Sequence, residues 1–169
     1  MLTDAGRLDL AYALLLQKSF PSWLYSVING ATTIWERWDG WTEENGFQDI
    51  VMNSFNHYAY GSIGQWLYSV VAGIELDPAR PGYKHIILRP QPGGGVTQAT
   101  GKLETLYGEL VSQWTLADDT FDWMVVVPPN TTATVHLPSK EASEITLNGQ
   151  AVSDLVHEVE AGEYRFVVS

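Results

Sequence analysis

The spacing of apolar positions changes near residue 77, from a helical period of about 3.6 to strict alternation. Over residues 4–18, Ala5, Leu8, Tyr12, Leu15 and Leu16 recur at three- and four-residue steps. That spacing predicts an amphipathic helix with Thr3 or Asp4 as its cap. Pro21 interrupts the pattern and suits the first turn of a second helix, residues 22 to about 28, ended by Asn29-Gly30. A polar run over 42–49 predicts a loop. A third helix is expected from Asn53 or Ser54 to about Ala72. Phe55, Tyr58, Trp66 and Val70 trace one side of it, and Ile63, Leu67 and Val71 fill another. A helix apolar on that much of its circumference is buried on several sides. Three helices carrying so many aromatic residues are too few to cover one another, so they read as part of a larger helical array. A small independent three-helix domain is the competing reading.

After the Pro/Gly-rich stretch 77–83, alternation predicts strands over 84–89, 96–106, 109–116, 121–127, 131–137, 145–147, 150–152 and 164–168. Tyr107-Gly108 and Asn148-Gly149 are the hairpin turns, the second being the strongest short-range signal in the chain. About eight short strands at this spacing argue for an antiparallel β-sandwich. The expected fold class is therefore α+β, with helices over 1–76, a linker over 77–83 and a sandwich over 84–169.

Composition narrows the chemistry. Hydrophobic residues make up 45% of the 169 and charged residues 17%, which is enough apolar material for a core. The net charge of −11 is spread along the chain and disfavours nucleic acid or anionic membrane as partners, since both are bound through Lys/Arg clusters. With no cysteine there is no disulfide framework and no thiolate ligand or nucleophile. His85, His136 and His157 fall on separate predicted strands without a second ligand at metal spacing, so neither a metal nor a cofactor is expected. Neither a signal-peptide pattern nor a membrane-length apolar run is present, so a soluble protein is expected, with cytoplasmic and secreted locations both open.

The stretch with most chemistry is Thr32-Thr33-Ile34-Trp35-Glu36-Arg37-Trp38-Asp39-Gly40-Trp41, which sets two carboxylates and a guanidinium among three indoles. Indole faces cover the apolar side of a sugar ring, and Glu36, Arg37 and Asp39 can bond its hydroxyls. The three indoles cannot all face one ligand; Trp35 and Trp38 flank the glutamate. A glutamate held against indole is also a candidate acid or base, because desolvation raises a carboxyl pKa. The competing reading is a core segment in which the indoles pack and Glu36 faces solvent. His57, expected in the first turn of the third helix, sits where the macrodipole disfavours an imidazolium. Its ring either meets a sugar hydroxyl or is a satisfied core residue.

The order of residues adds a resemblance. The Thr-Thr-Ile-Trp-Glu-Arg-Trp-Asp-Gly run, followed by Asn53-Ser54-Phe55-Asn56-His57-Tyr58-Ala59-Tyr60-Gly61, resembles the bacterial α-L-rhamnosidases, glycoside hydrolase family 78. The likeness continues through Gly64-Gln65-Trp66-Leu67-Tyr68, Val71-Ala72-Gly73-Ile74 and Gly82-Tyr83-Lys84-His85-Ile86, and so spans essentially the whole chain. It covers only the carboxy-terminal portion of such an enzyme. The resemblance implies the last helices of an (α/α)6 barrel followed by a β-sandwich. It also implies hydrolysis of terminal non-reducing α-L-rhamnose with inversion, on rhamnose-containing glycosides or polysaccharides. Glu36 takes the place of the family's general base and His57 that of a histidine that contacts rhamnose, with Trp35, Trp38, Arg37 and Asp39 as further substrate-binding candidates. The family's general acid lies on an upstream segment that nothing here matches, so this chain alone is expected to be catalytically incomplete and to self-associate through exposed helical surface. A non-catalytic carbohydrate-binding module is the alternative.

Overall fold

Gly6 decides where the first helix begins. Its φ of +72° closes a pair of turns in which the Ala5 and Arg7 amides bond the Leu2 carbonyl, so helix α1 runs Leu8–Leu16 and starts later than the expected residue 4. Arg7 occupies the cap position without a side-chain cap, instead of Thr3 or Asp4. Tyr12 is the buried residue of α1, and burial pushes its hydroxyl pKa up to about 12. Helix α2, Trp23–Ile28, ends where expected but starts later, with Pro21 ahead of it and not in its first turn. The Ser22 hydroxyl accepts from the Tyr25 amide at 3.0 Å, and Gly30 leaves the helix at φ +87°. Gln17 Nε2 bonds the Ser19 and Pro21 carbonyls and fixes the joint between the two helices. The expected loop over 42–49 contains a short hairpin, β1 Trp41–Thr42 paired with β2 Gly46–Phe47.

The third helical stretch departs most from expectation. It starts at His57, not at Asn53 or Ser54, and comprises α3 Tyr58–Gly61, α4 Ile63–Trp66 and a π-helical turn Leu67–Val71. The Ser54 carbonyl is engaged by the Glu36 amide and the Phe55 carbonyl by the Thr33 hydroxyl, so these carbonyls face another segment and not a following helical turn.

The computed structural model describes residues 2–138 and 144–169. It divides into two compact units, Met1–Gly64 and Gln65–Ser169. In the second, two sheets form. One has six strands in the order β10-β9-β12-β7-β6-β5 (Gln150–Val152, Ile145–Leu147, Gly162–Val168, Thr120–Val127, Gly108–Ala117, Gln98–Thr105). The other has four, β11-β8-β4-β3 (Val156–Val159, Thr132–His136, His85–Leu88, Ile74–Leu76). Alternate residues of these strands are buried, among them Trp114, Trp123, Val125, Phe166, Ile86, Leu88 and Val135, as in a β-sandwich.

Three expectations are corrected here. The sheets are not wholly antiparallel: β4 and β8 pair in parallel, His85 opposite Thr132 and Leu88 opposite Val135. A parallel pair needs a long crossover, which the intervening strands β5 to β7 supply. The third helical stretch does end near Ala72 as expected, but residues 74–76, counted with the helical portion 1–76, are a strand, because Gly73 turns the chain at φ +74° where a Cβ would strike the Pro90 nitrogen at 2.1 Å. The stretch 77–83 consequently links two neighbouring strands of one sheet, β3 and β4. Strand β11 was not expected at all.

The end of the π-helical turn is fastened to the larger sheet by buried polar bonds. The Trp114 indole N–H donates to the Val71 carbonyl at 2.7 Å, and the Ser112 hydroxyl donates to the Ala72 carbonyl at 2.6 Å. Ser112 Oγ in turn accepts the Trp123 indole N–H at 2.9 Å. Carbonyls at a helix end lack partners within the helix, and here side chains of β6 provide them.

Candidate functional site

In the first unit the two motif segments lie side by side. The Glu36 amide donates to the Ser54 carbonyl at 2.8 Å, the His57 amide donates to the Ile34 carbonyl at 2.9 Å, and the Thr33 hydroxyl donates to the Phe55 carbonyl. The Ser54 amide completes the set by donating to Glu36 Oε2 at 2.8 Å. A carboxylate and an imidazole 21 positions apart in sequence are thereby carried on two segments tied together by their main chains.

Glu36 is half-buried. Among the described residues its carboxylate takes no hydrogen bond other than that from Ser54. His57 is the cap residue of α3, and its Nδ1 accepts from the Ala59 amide at 3.2 Å. An accepting Nδ1 carries no proton, which puts the proton of the neutral ring on Nε2. The imidazole stacks on the Tyr58 ring, with centroids 5.3 Å apart and planes 7° apart.

The remaining expected residues are placed as follows. Arg37 and Asp39 form a two-pronged ion pair, Nε to Oδ1 at 3.0 Å and Nη2 to Oδ2 at 2.9 Å. Both are partly exposed, so the pair braces a turn more than it stabilises the fold. Trp35 is buried, edge-on to Phe55 at 5.6 Å. Trp38 stacks on Tyr60 at 3.9 Å and meets Trp23 edge-on at 5.2 Å. Trp41 lies in β1, half-buried.

Trp35 and Trp38 line a shallow cleft with Trp23, Ser26, Val27, Thr33 and Ile34, whose volume including its open mouth is about 250 Å³. Glu36 and His57 are not in its lining, so the aromatic cleft and the polar pair are adjoining features and not one pocket. The sequence reading missed Trp23, Phe55 and Tyr60 as the partners of these indoles. It also missed Ser54, whose contribution is a main-chain amide and leaves no mark in residue type. Among the described residues no cluster of side chains could hold a metal ion.

A unit of short helices bearing this carboxylate–imidazole arrangement is followed in the chain by a two-sheet unit. Among family models, residues 1–71 match the bacterial alpha-L-rhamnosidase 6 hairpin glycosidase domain and residues 73–151 match the bacterial alpha-L-rhamnosidase C-terminal domain. The chain belongs to the bacterial α-L-rhamnosidase family. An alpha-L-rhamnosidase of Streptomyces avermitilis is 44% identical over 99% of this chain, and the chain spans 17% of that relative's length. The crystal structure of the Streptomyces avermitilis alpha-L-rhamnosidase complexed with L-rhamnose superposes with a TM-score of 0.86, covering 99% of this chain and 17% of that one. The alpha-L-rhamnosidase of Dictyoglumus thermophilum, 31% identical, gives 0.85 over 99% of this chain and 19% of its own.

Proposed function

We propose that this chain is the carboxy-terminal part of an α-L-rhamnosidase that removes terminal non-reducing α-L-rhamnose from glycosides or polysaccharides with inversion. In this reading the helices close an (α/α)6 barrel. Glu36 is the general base, and the general acid stands on a barrel segment outside the span matched here. The observation that carries the reading is the pairing of the Glu36 segment with the His57 segment through four hydrogen bonds, three of them main chain to main chain or main chain to the carboxylate itself. Such pairing gives a carboxylate and a neutral imidazole a fixed relation before any ligand arrives, which is what a base and its substrate contact require.

Inversion needs one carboxylic acid to protonate the leaving oxygen and one carboxylate to take a proton from water on the opposite face. Glu36 has the free oxygen for the second task. His57, with Nε2–H available, donates to a rhamnose hydroxyl. Trp35 and Trp38 line the neighbouring cleft, and the Arg37–Asp39 pair holds the turn that follows the base and borders the sugar.

Kinetics of two variants in the full natural chain that carries this sequence test the assignment. Glu36→Gln lowers kcat by about 10²–10⁴-fold with little change in KM, because a base acts on water in the transition state and not on bound sugar. His57→Ala weakens binding instead, by roughly 1–3 kcal/mol if a hydroxyl is left unpaired. A Glu36→Gln enzyme with near-normal kcat contradicts the reading and leaves the tryptophan-rich stretch as a binding wall.

A further inference from the structure

Among the described residues, the carboxylate of Glu36 is held from one side only, by Ser54. Glu36 gives its own amide proton to the Ser54 carbonyl, and the Ser54 amide returns a hydrogen bond to Oε2, both at 2.8 Å. The residue's main chain and its side-chain tip are thus tied to the same partner, which closes a ring through the whole side chain and fixes its torsions. Oε1 takes no hydrogen bond among the described residues. Two further cross-links hold the partner segment in register: the His57 amide to the Ile34 carbonyl at 2.9 Å, and the Thr33 hydroxyl to the Phe55 carbonyl. Of the groups that hold this register, the Thr33 hydroxyl is a side chain that can be removed without altering a main-chain bond or the carboxylate.

A base that draws a proton from water must present one lone pair in one direction. A glutamate with both oxygens free rotates about its last torsion and spends most of its time misaligned, and a displacement of about 1 Å at a reacting group costs up to about 10²-fold in rate. An amide bound to Oε2 removes that freedom without occupying Oε1. We infer that the Ser54 main-chain amide and the Thr33 hydroxyl are positioning groups for Glu36: they fix the carboxylate so that Oε2 is satisfied by the protein and Oε1 is the oxygen that acts on water. The inference rests on the reading of Glu36 as the base.

The test uses Thr33→Val, which keeps the side-chain shape and removes the hydroxyl, together with Thr33→Ser, which restores it. In the full natural chain, Thr33→Val lowers kcat on an aryl α-L-rhamnoside by roughly 10- to 100-fold while KM stays within about twofold, and Thr33→Ser recovers most of the loss. Amide hydrogen exchange at Ser54, followed by NMR in the chain of 169 residues, gives a second readout that needs no activity. The amide is protected in the unaltered chain, exchanges faster in Glu36→Ala and in Thr33→Val, and stays protected in Glu36→Gln, whose amide carbonyl still accepts. Full kcat in a folded Thr33→Val enzyme, failure of Thr33→Ser to restore a loss, or identical Ser54 exchange in Glu36→Ala and the unaltered chain overturns the inference. The underlying reading fails by a different sign, since Glu36→Ala then retains kcat whatever Thr33→Val does.

Discussion

Removing the Ser112 hydroxyl should destabilise the sheet unit far more than a single surface-sized change. Ser112 is completely buried. Its oxygen accepts the Trp123 indole N–H at 2.9 Å and donates to the Ala72 carbonyl at 2.6 Å. Ser112→Ala strands both partners in a site built of Trp114, Trp123 and aliphatic side chains. A buried donor or acceptor left without a partner costs about 1–3 kcal/mol, so two give roughly 2–5 kcal/mol after some relaxation. For a unit of this size each kcal/mol lowers Tm by about 4 °C or more, and a fall of about 10 °C or more follows. Thermal unfolding by circular dichroism, with urea melts for the free energy, measures it. Trp123→Phe removes only the donor and should cost less in its hydrogen bond, while the double variant Ser112→Ala/Trp123→Phe should cost less than the sum of the singles. A Ser112→Ala loss below about 0.5 kcal/mol, or strict additivity with Trp123→Phe, would refute the claim that this hydroxyl is the hinge of a buried network.

Three other expectations follow from the same structure. The Arg165 guanidinium bonds the Asp122 carboxylate at 2.9 and 2.5 Å and, against a smaller opposing effect of burial, holds its pKa below the usual 3.8. A depressed folded pKa stabilises above the unfolded value and loses that contribution as pH falls through the folded one. Arg165 being largely exposed, Arg165→Gln should cost little at pH 7, and the difference in melting from the unaltered chain should close as pH falls through the lowered folded pKa of Asp122. Ile50, Val51 and Met52 are each more than two-thirds exposed, with Val27 and Ile28 on α2 more than half exposed. Apolar surface of that kind associates, so sedimentation should show oligomers that Ile50→Ser/Val51→Ser/Met52→Ser reduces; a strict monomer before the change would contradict it. The chain of 169 residues by itself should not hydrolyse an aryl α-L-rhamnoside, and turnover abolished by Glu36→Gln would show that a second carboxylate within it completes the pair.

What the sequence revealed depended on how local each cause is. The end of helix α2 was legible because a single residue makes it, Gly30 at positive φ, while its start was read from Pro21 and not from the Ser22 cap that follows it. The Asn148-Gly149 hairpin was legible for the same reason, pairing Ile145–Leu147 with Gln150–Val152. The start of α3 was misplaced because Ser54 has its amide and carbonyl engaged by Glu36, a partner 18 residues away, and no periodicity reports that. Strand β3 is three residues long and follows a helix without a polar break, so its alternation is too short to see. The parallel pairing of β4 with β8 is fixed by topology, although His85 marks it: Nδ1 meets the Thr132 hydroxyl at 2.7 Å and Nε2 the Thr134 hydroxyl at 2.9 Å. In the candidate site, residue types and the family resemblance singled out Glu36 and His57. They said nothing of how the two segments are tied, because the ties run mainly through the main chain.

The central claim is that Glu36 acts on water as the base of an inverting reaction, and the configuration of a rescued product tests it most directly. In the full natural chain, Glu36→Ala should lose hydrolysis by about 10²–10⁴-fold and leave a cavity where the carboxylate stood. Azide can enter that cavity and attack the anomeric carbon in place of the activated water. NMR of the product should then show a rhamnosyl azide of inverted configuration, formed at a rate that rises with azide concentration. Near-normal hydrolysis by Glu36→Ala without azide, or a rhamnosyl azide of retained configuration, would contradict the claim.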